Sequence, residues 1–168
     1  MRPIYIPDFV PSNGVFETLA NEVSWDTRAG NRKESFMAID TALRYSYGKS
    51  DAVRRTYEAS ELHPYVRSLL HVLNYRMKSE YNICVLNYYE NQHNSLDWHA
   101  DDSPEQDPNH PIAVISFGAS RYIYIKENDY KGKVPEEDMF LLTPGSLFVM
   151  PAGFQDTHKH KIPKHDRE

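Results

Sequence analysis

The chain of 168 residues is long enough for one domain with a real hydrophobic core and too short for two comfortable ones. Its apolar content of 40% and charged content of 26% fit an ordinary soluble globular protein. The net charge of -5 excludes a global attraction to nucleic acid, so any nucleic-acid contact would need a local basic patch.

Compartment and membrane association follow from composition. No apolar stretch approaches membrane-spanning length, and the N-terminal segment has no signal-peptide core. The single cysteine, Cys84, cannot form an internal disulfide and is interpreted as a small buried hydrophobic residue. We therefore expect no membrane contact and a reducing, cytoplasm-like location (the nucleus in a eukaryote).

The N-terminal segment predicts one strand and one helix. Residues 2–10 alternate apolar and polar side chains between prolines, which favours a short edge strand. Ser12 or Asn13 can then cap a helix with one apolar face. The residues of that face are Val15, Phe16, Leu19, Ala20 and Val23.

Residues 26–60 show a poor apolar pattern and have two interpretations. They form either a solvated loop with short strands or a mobile flap over a site, because functional lids tend to be long and irregular. The segment mixes tyrosines with arginines, which can stack a base and hold a phosphate, although an ordinary surface is an equal alternative. The cluster comprises Tyr45, Tyr47, Tyr57, Arg44, Arg54 and Arg55.

The remainder predicts a helix followed by strands. Residues 63–79 carry apolar side chains at helical spacing. Short strands joined by tight turns follow, at 83–89, 98–101, 112–118, 121–126, 139–142 and 146–150. This order predicts an α+β fold, a double-stranded β-helix (jelly roll) with one or two helices packed on the major sheet.

A candidate metal site lies in the strand-rich part. His99 and Asp101 are two positions apart, so on an extended chain they point to the same face and can bind one metal ion. With a second imidazole far downstream, at His160, this is the facial-triad pattern of non-haem Fe(II) oxygenases. His158 and His165 compete with His160 on spacing alone, and the alternative is that all of these are solvated loop residues.

Five ordered motifs resemble those of the AlkB family of Fe(II)- and 2-oxoglutarate-dependent dioxygenases, above all its DNA-repair members. The resemblance covers residues 81–163. The motifs are N-x-Y at 87–89, H-x-D at 99–101, P-I-x-x-x-S-x-G at 111–118, G-[DS]-L-x-x-M at 145–150 and H-x-[IL]-P at 160–163. The resemblance implies a single domain over 1–168, with 26–60 as the nucleotide-recognition lid and 81–168 as the catalytic core.

The resemblance also assigns roles to individual residues. It implies that His99, Asp101 and His160 bind Fe(II), and that Asn87 and Tyr89 donate hydrogen bonds to 2-oxoglutarate. Asp102 follows a ligand, as in several repair members, and is expected to help place the base or the lid. The base is expected to stack on an aromatic side chain such as Trp98 or a lid tyrosine, Tyr45 or Tyr47.

Two departures from the family pattern bear on these roles. The family ends with R-x-[NS]-L-T-x-R, whose arginines clamp the far carboxylate of 2-oxoglutarate. This chain stops at Asp166-Arg167-Glu168, so the motif is absent or cut off. Arg167 could replace the first arginine, but its distance from His160 is short, and we expect a truncated protein instead. The Pro-Arg dipeptide usual in the recognition region is not recognisable between 26 and 60.

The implied reaction is oxidative demethylation of alkylated nucleic acid bases, as in DNA repair. Decarboxylation of 2-oxoglutarate to succinate accompanies hydroxylation of an N-methyl group, and formaldehyde leaves the repaired base. The substrate would be alkylated DNA or RNA, single-stranded or with a flipped base, acted on by a monomer. The alternatives are a 2-oxoglutarate oxygenase acting on protein or a small molecule, and a catalytically silent AlkB-like binding module.

Overall fold

The computed structural model describes residues 1–48 and 54–165. They form two compact units, one of residues 1–22, 89–102 and 106–165, and one of residues 23–88 and 103–105. In chain order the strands are β1 (Ile4–Ile6), β2 (Lys33–Ala38), β3 (Arg44–Tyr47), β4 (Arg55–Glu58), β5 (Ser60–Glu61), β6 (Ile83–Tyr88), β7 (Leu96–His99), β8 (Ile112–Ile115), β9 (Arg121–Glu127), β10 (Met139–Leu142), β11 (Leu147–Met150) and β12 (His158–Ile162). The helices are α1 (Val15–Glu22), α2 (Pro64–Met77) and α3 (Phe154–Thr157).

The first unit contains two antiparallel sheets around one core. One sheet has the order β1-β11-β8 and the other the order β10-β9-β12-β7. The core takes residues from both sheets, among them Phe148, Met150 and Ile123, all at most 2% exposed. This double-sheet arrangement confirms the expected jelly-roll class, although the sheets do not close into a barrel.

Alternation along β9 separates two chemically different faces of the four-stranded sheet. Ile123 and Ile125 point into the core and are each 2% exposed. Tyr122, Tyr124 and Lys126 therefore lie on the opposite face, because successive side chains of a strand point to opposite sides.

A glycine turn connects β10 and β11 and anchors the N-terminal segment. Gly145 has a φ of 78°, which the third position of a type II turn requires. Its carbonyl oxygen accepts the backbone N–H groups of Phe9 (2.9 Å) and Val10 (3.1 Å). The predicted edge strand is confirmed, since β1 pairs only with β11 within the described part of this sheet.

The second unit has a three-stranded sheet, β5-β2-β6, and the two-stranded ribbon β3-β4. Helix α2 begins where the imidazole Nδ1 of His63 accepts the backbone N–H of Tyr65 (3.1 Å), with Pro64 at its first position. It ends at Lys78, whose left-handed backbone closes the last turn. Its bounds agree with the predicted helix to within two residues.

The segment 26–60 is more ordered than its polar composition indicated. Five of the six residues of β2 are buried, including Glu34, which is 4% exposed. The Glu34 carboxylate accepts from the guanidinium of Arg32 (3.1 Å), also buried, and from the phenol of Tyr57 (2.5 Å). The solvated-loop interpretation is therefore wrong for β2, because internal hydrogen bonds replace the water that its charged groups would lose.

The structure bears on two expectations drawn from composition, the absence of a membrane-spanning segment and the burial of the single cysteine. Within the described ranges, no helix combines the length and apolar character that crossing a bilayer requires. Cys84 lies on β6 and is half-buried rather than fully buried as expected, and desolvation raises the pKa of its thiol to about 12.

Candidate metal centre

A bulge between two paired strands brings the two candidate imidazoles together. His99 of β7 lies directly opposite His160 of β12, and the next pair is Leu96 with Ile162. Lys161 therefore faces two residues of β7, Asp97 and Trp98. A bulge of this kind re-aims the side chains that follow it, and here it turns His99 to the same face as His160.

Three ligand atoms converge at this point. The Nε2 atoms of His99 and His160 lie 3.5 Å and 3.3 Å from different carboxylate oxygens of Asp101. All three donors lie within 4.8 Å of one another. His99 and His160 are 7% and 4% exposed, whereas Asp101 is half-buried. The geometry brings together the three residues that the sequence singled out.

A backbone contact fixes which nitrogen of His99 faces the cluster. Its Nδ1 lies 2.7 Å from the backbone carbonyl oxygen of Asp97, which can only accept, so Nδ1 carries the proton. Nε2 is then the ring nitrogen that faces the Asp101 carboxylate and is available to bind a metal. With Nδ1 held by a backbone carbonyl, the ring is oriented as in metal-binding histidines, whose other nitrogen is the ligand. Two imidazoles and one carboxylate are the donor set of the non-haem Fe(II) facial triad, so these residues fit an iron ion.

Asp101 is held in place by a residue that the sequence did not indicate. Its backbone N–H donates to the side-chain oxygen of Gln155 (2.8 Å), and the Gln155 amide donates to the sulfur of Met150 (3.5 Å). Gln155 lies on α3, a single turn that precedes β12. No motif marks a lone glutamine in a turn, so only the fold reveals this contact.

The competing histidines lie outside the cluster. His158 shares a hydrogen bond with the hydroxyl of Thr157 (2.7 Å), and its ring stacks on Phe154 with centroids 4.4 Å apart. Desolvation by burial lowers its pKa. The backbone N–H of His165 donates to Gln92 (2.8 Å). Of the described residues, only His99, Asp101 and His160 form a group that could hold a metal ion.

The residues expected to bind 2-oxoglutarate are distributed over both units. Tyr89 is in the unit of the metal centre, where the guanidinium of Arg121 lies 5.4 Å from its ring centroid. Arg121 donates to the carbonyl oxygens of Asn94 (2.8 Å) and Pro163 (2.7 Å), and desolvation lowers its pKa.

Asn87 is at the exposed end of β6 in the other unit. Its side-chain oxygen accepts from Nε of Arg32 (3.1 Å). Arg167 lies outside the described residues. The assignment of these residues to the co-substrate stays a prediction.

The residues expected to contact the base differ in their surroundings. Trp98 lies on the face of its sheet that carries Lys126 and Lys161, away from the buried imidazoles. Asp102 is exposed. Tyr45 is 4% exposed and packs on Phe36.

Tyr47 is the more accessible of the two lid tyrosines. Its half-buried ring lies 5.3 Å and 5.7 Å from the guanidinium groups of Arg32 and Arg55. Of the two, Tyr47 is therefore the one that keeps the aromatic-with-basic character expected of a stacking residue.

The similarity of the chain to known proteins agrees with the iron site that the donor set indicates. Residues 11–168 match the family model of the 2OG-Fe(II) oxygenase superfamily. The chain is 29% identical to the human alpha-ketoglutarate-dependent dioxygenase alkB homolog 3 over 188 residues, covering 99% of this chain and 63% of the relative. It is 28% identical to the human DNA oxidative demethylase ALKBH2 over 161 residues, covering 89% of this chain and 61% of the relative.

A shorter match is to a viral protein. Over 83 residues, 49% of this chain, it is 31% identical to the RNA replication polyprotein of Citrus leaf blotch virus, of which the match covers 4%. The chain thus spans about six-tenths of the length of the two human relatives.

Proposed function

Since the chain belongs to the 2OG-Fe(II) oxygenase superfamily, and within it to the AlkB family, we propose that the protein demethylates alkylated nucleic acid bases oxidatively. The observation that carries this proposal is the convergence of His99, Asp101 and His160 on one point. Two relatives, a dioxygenase and a DNA oxidative demethylase by name, support the choice of reaction and substrate.

In this proposal the three residues hold Fe(II) through two imidazole nitrogens and one carboxylate oxygen. The iron, together with 2-oxoglutarate and oxygen, supplies the oxidising chemistry that hydroxylates an N-methyl group, after which formaldehyde leaves the base. Asp97 keeps the proton of His99 on Nδ1, and Gln155 fixes the backbone of Asp101. These contacts keep the donor atoms of His99 and Asp101 oriented toward the metal position.

Electrostatics and solvent exclusion support the same assignment. The burial of His99 and His160 keeps bulk water away from two of the three donors. The carboxylate of Asp101 contributes the only negative charge of the described triad, which leaves an Fe(II) site with a net positive charge. Such a charge attracts the two carboxylates of 2-oxoglutarate, and we assign the phenol of Tyr89 as one hydrogen-bond donor to them.

The test is product analysis with the full-length protein. Single-stranded oligonucleotides with N-methylated bases are incubated with Fe(II), 2-oxoglutarate and oxygen, and formaldehyde and succinate are measured. We expect equal amounts of both products, loss of both in Asp101→Ala, and retention of both in Asp129→Ala, which removes an exposed loop carboxylate instead.

Other results would overturn the proposal. Succinate formed only with protein or small-molecule substrates would identify an oxygenase of a different substrate class. The absence of succinate under all conditions, with iron shown to be bound, would identify a silent binding module.

A further inference from the structure

The outer face of the four-stranded sheet carries a group of aromatic and basic side chains that the metal centre does not use. We call it the lysine face. It comprises Trp98 of β7, Tyr122, Tyr124 and Lys126 of β9, and Lys159 and Lys161 of β12. All six are half-buried, so each keeps part of its surface open to solvent. Because these residues alternate with core-facing ones, the face lies on the reverse side of the sheet from His160 and Ile125.

The side chains of the lysine face form one continuous strip across three strands. The ammonium groups of Lys126 and Lys161 lie 4.6 Å and 5.0 Å from the ring centroid of Trp98. The ammonium group of Lys161 is also 5.9 Å from the ring of Tyr124. The ring centroids of Tyr124 and Tyr122 are 6.0 Å apart. Lysines and aromatic rings are therefore interleaved, with the two tyrosines adjacent at one end of the strip.

The placement of the lysines opposes the stability of the sheet. Lys126 lies directly opposite Lys159 in the pairing of β9 with β12, and like charges in that position are destabilising. Lysines often protect the edges of sheets, but β9 and β12 are the two inner strands of this one. Protection of an edge therefore does not explain them.

The lysines of the lysine face form no ion pair within the described chain. None of the three lysines pairs with a carboxylate among the residues that the structure describes. The carboxylate of Asp97, in the adjoining bulge, instead accepts the backbone N–H of Trp98 (2.8 Å). In a chain with a net charge of -5, three cations on one face are complementary to an anionic partner.

We infer that the lysine face binds the backbone and bases of single-stranded nucleic acid. The lysines bind phosphates, and the rings of Trp98, Tyr122 and Tyr124 stack bases, a combination that holds single strands without reading their sequence. A duplex does not present its base faces in this way. The strip spans three adjacent strands, which is two strand spacings or about 10 Å, enough for a short stretch of a single strand.

This inference rests on the proposed function and adds to it a second contact surface for the substrate. Because the lysine face is on the reverse of the sheet, a nucleotide bound there is not the one at the metal centre. The face holds the strand that flanks the reacting base.

Binding measured apart from catalysis tests the inference. The full-length protein, without iron or 2-oxoglutarate, is titrated against a fluorescent, unmethylated single-stranded oligonucleotide at several salt concentrations. In the triple variant Lys126→Ala, Lys159→Ala, Lys161→Ala, we expect the slope of log K against log[salt] to fall in magnitude by about 2, since each phosphate contact on a single strand contributes roughly 0.7.

A matched variant controls for the change in net charge. Arg67→Ala, Lys131→Ala, Lys133→Ala removes three exposed cations outside the lysine face and should leave the slope unchanged. Metal binding by both triple variants shows that the sheet still folds, because His99 and His160 belong to the same strands as the altered residues or to their neighbours.

The aromatic contribution is tested at one position. Trp98→Ala should weaken binding roughly 5- to 150-fold, the effect of losing one stacked base, and Trp98→Phe should retain most of the affinity. An unchanged salt slope in the lysine variant would overturn the inference, as would equally tight binding of inorganic polyphosphate.

Failure of the inference can be distinguished from failure of the proposed function. Demethylation by the wild type together with wild-type binding by the lysine variant would remove the inference alone. Binding that depends on these lysines, without any demethylation, would remove the proposed reaction and leave the nucleic-acid surface in place.

Discussion

At the scale of single residues, the backbone around His99 determines the chemistry of the centre. The bulge turns its ring toward His160, and the carbonyl oxygen of Asp97 fixes its proton on Nδ1. Spacing alone predicted that His99 and Asp101 share a face, and it left three histidines as candidates for the third ligand. The pairing of His160 with His99 decides among them.

The choice of histidine leads to a first prediction. His160→Ala should abolish stoichiometric Co(II) or Fe(II) binding, because it removes one of three ligands, whereas His158→Ala should retain it. Anaerobic titration with isothermal calorimetry measures both. An equal loss of metal binding in the two variants would contradict the assignment of His160 as the third ligand.

Gln155 provides a second prediction at this scale. Gln155→Ala leaves the Asp101 backbone N–H without its acceptor, and we expect metal affinity to fall about 10-fold, as for other residues that orient ligands. Gln155→Glu keeps an acceptor oxygen and serves as the matched variant. Unaltered affinity in Gln155→Ala would mean that Asp101 is oriented by other contacts.

At the scale of elements, some turns and strands could be predicted from the sequence and others could not. The Thr143-Pro144-Gly145 turn and the strands on either side follow from residue type and alternation, and the structure confirms them. Strand β2 could not be predicted in this way. Its charged residue Glu34 indicates a surface position in the sequence, and only the structure shows that Arg32 and Tyr57 hydrogen-bond to it in the interior.

The turn provides a third prediction. Alanine at 145 adopts an unfavourable positive φ, and its Cβ would overlap the carbonyl oxygen of Val10. Gly145→Ala should therefore cost roughly 3 kcal/mol or more, which combines backbone strain with displacement of the N-terminal segment. Thermal unfolding monitored by circular dichroism measures the loss.

Gly30 offers a control for the backbone term alone. It has a similar φ of 78°, and a Cβ there meets nothing within 4 Å. Gly30→Ala should cost only about 1 to 2 kcal/mol. An equal loss at both positions would show that the contact with Val10 does not matter.

At the scale of the whole molecule, the sequence predicted the fold class and the ligand set but not the surfaces. Short strands with tight turns indicated the jelly roll, and the ordered motifs selected His160 over its neighbours. The lysine face could not be predicted from the sequence because its members lie on three strands that are far apart in sequence. Only the strand register places Lys126 beside Lys159. Similarly, the bulge at Asp97 and Trp98 depends on pairing with β12, which no local pattern encodes.

Metal binding should stabilise the folded chain as a whole. A metal ion at 100 times its Kd adds about 2.7 kcal/mol, which corresponds to roughly 5 to 10 °C in Tm for a chain of this size. Asp101→Ala should show no such shift with the same metal. A comparable shift in that variant would place the stabilising ion elsewhere.

The most direct test of the account is a crystal structure of the full-length protein with Mn(II), a redox-inert substitute for Fe(II), recorded with anomalous data. We predict one strong anomalous peak bounded by Nε2 of His99, Nε2 of His160 and the carboxylate of Asp101. A peak at another position, or two imidazoles far apart with no peak between them, would contradict it.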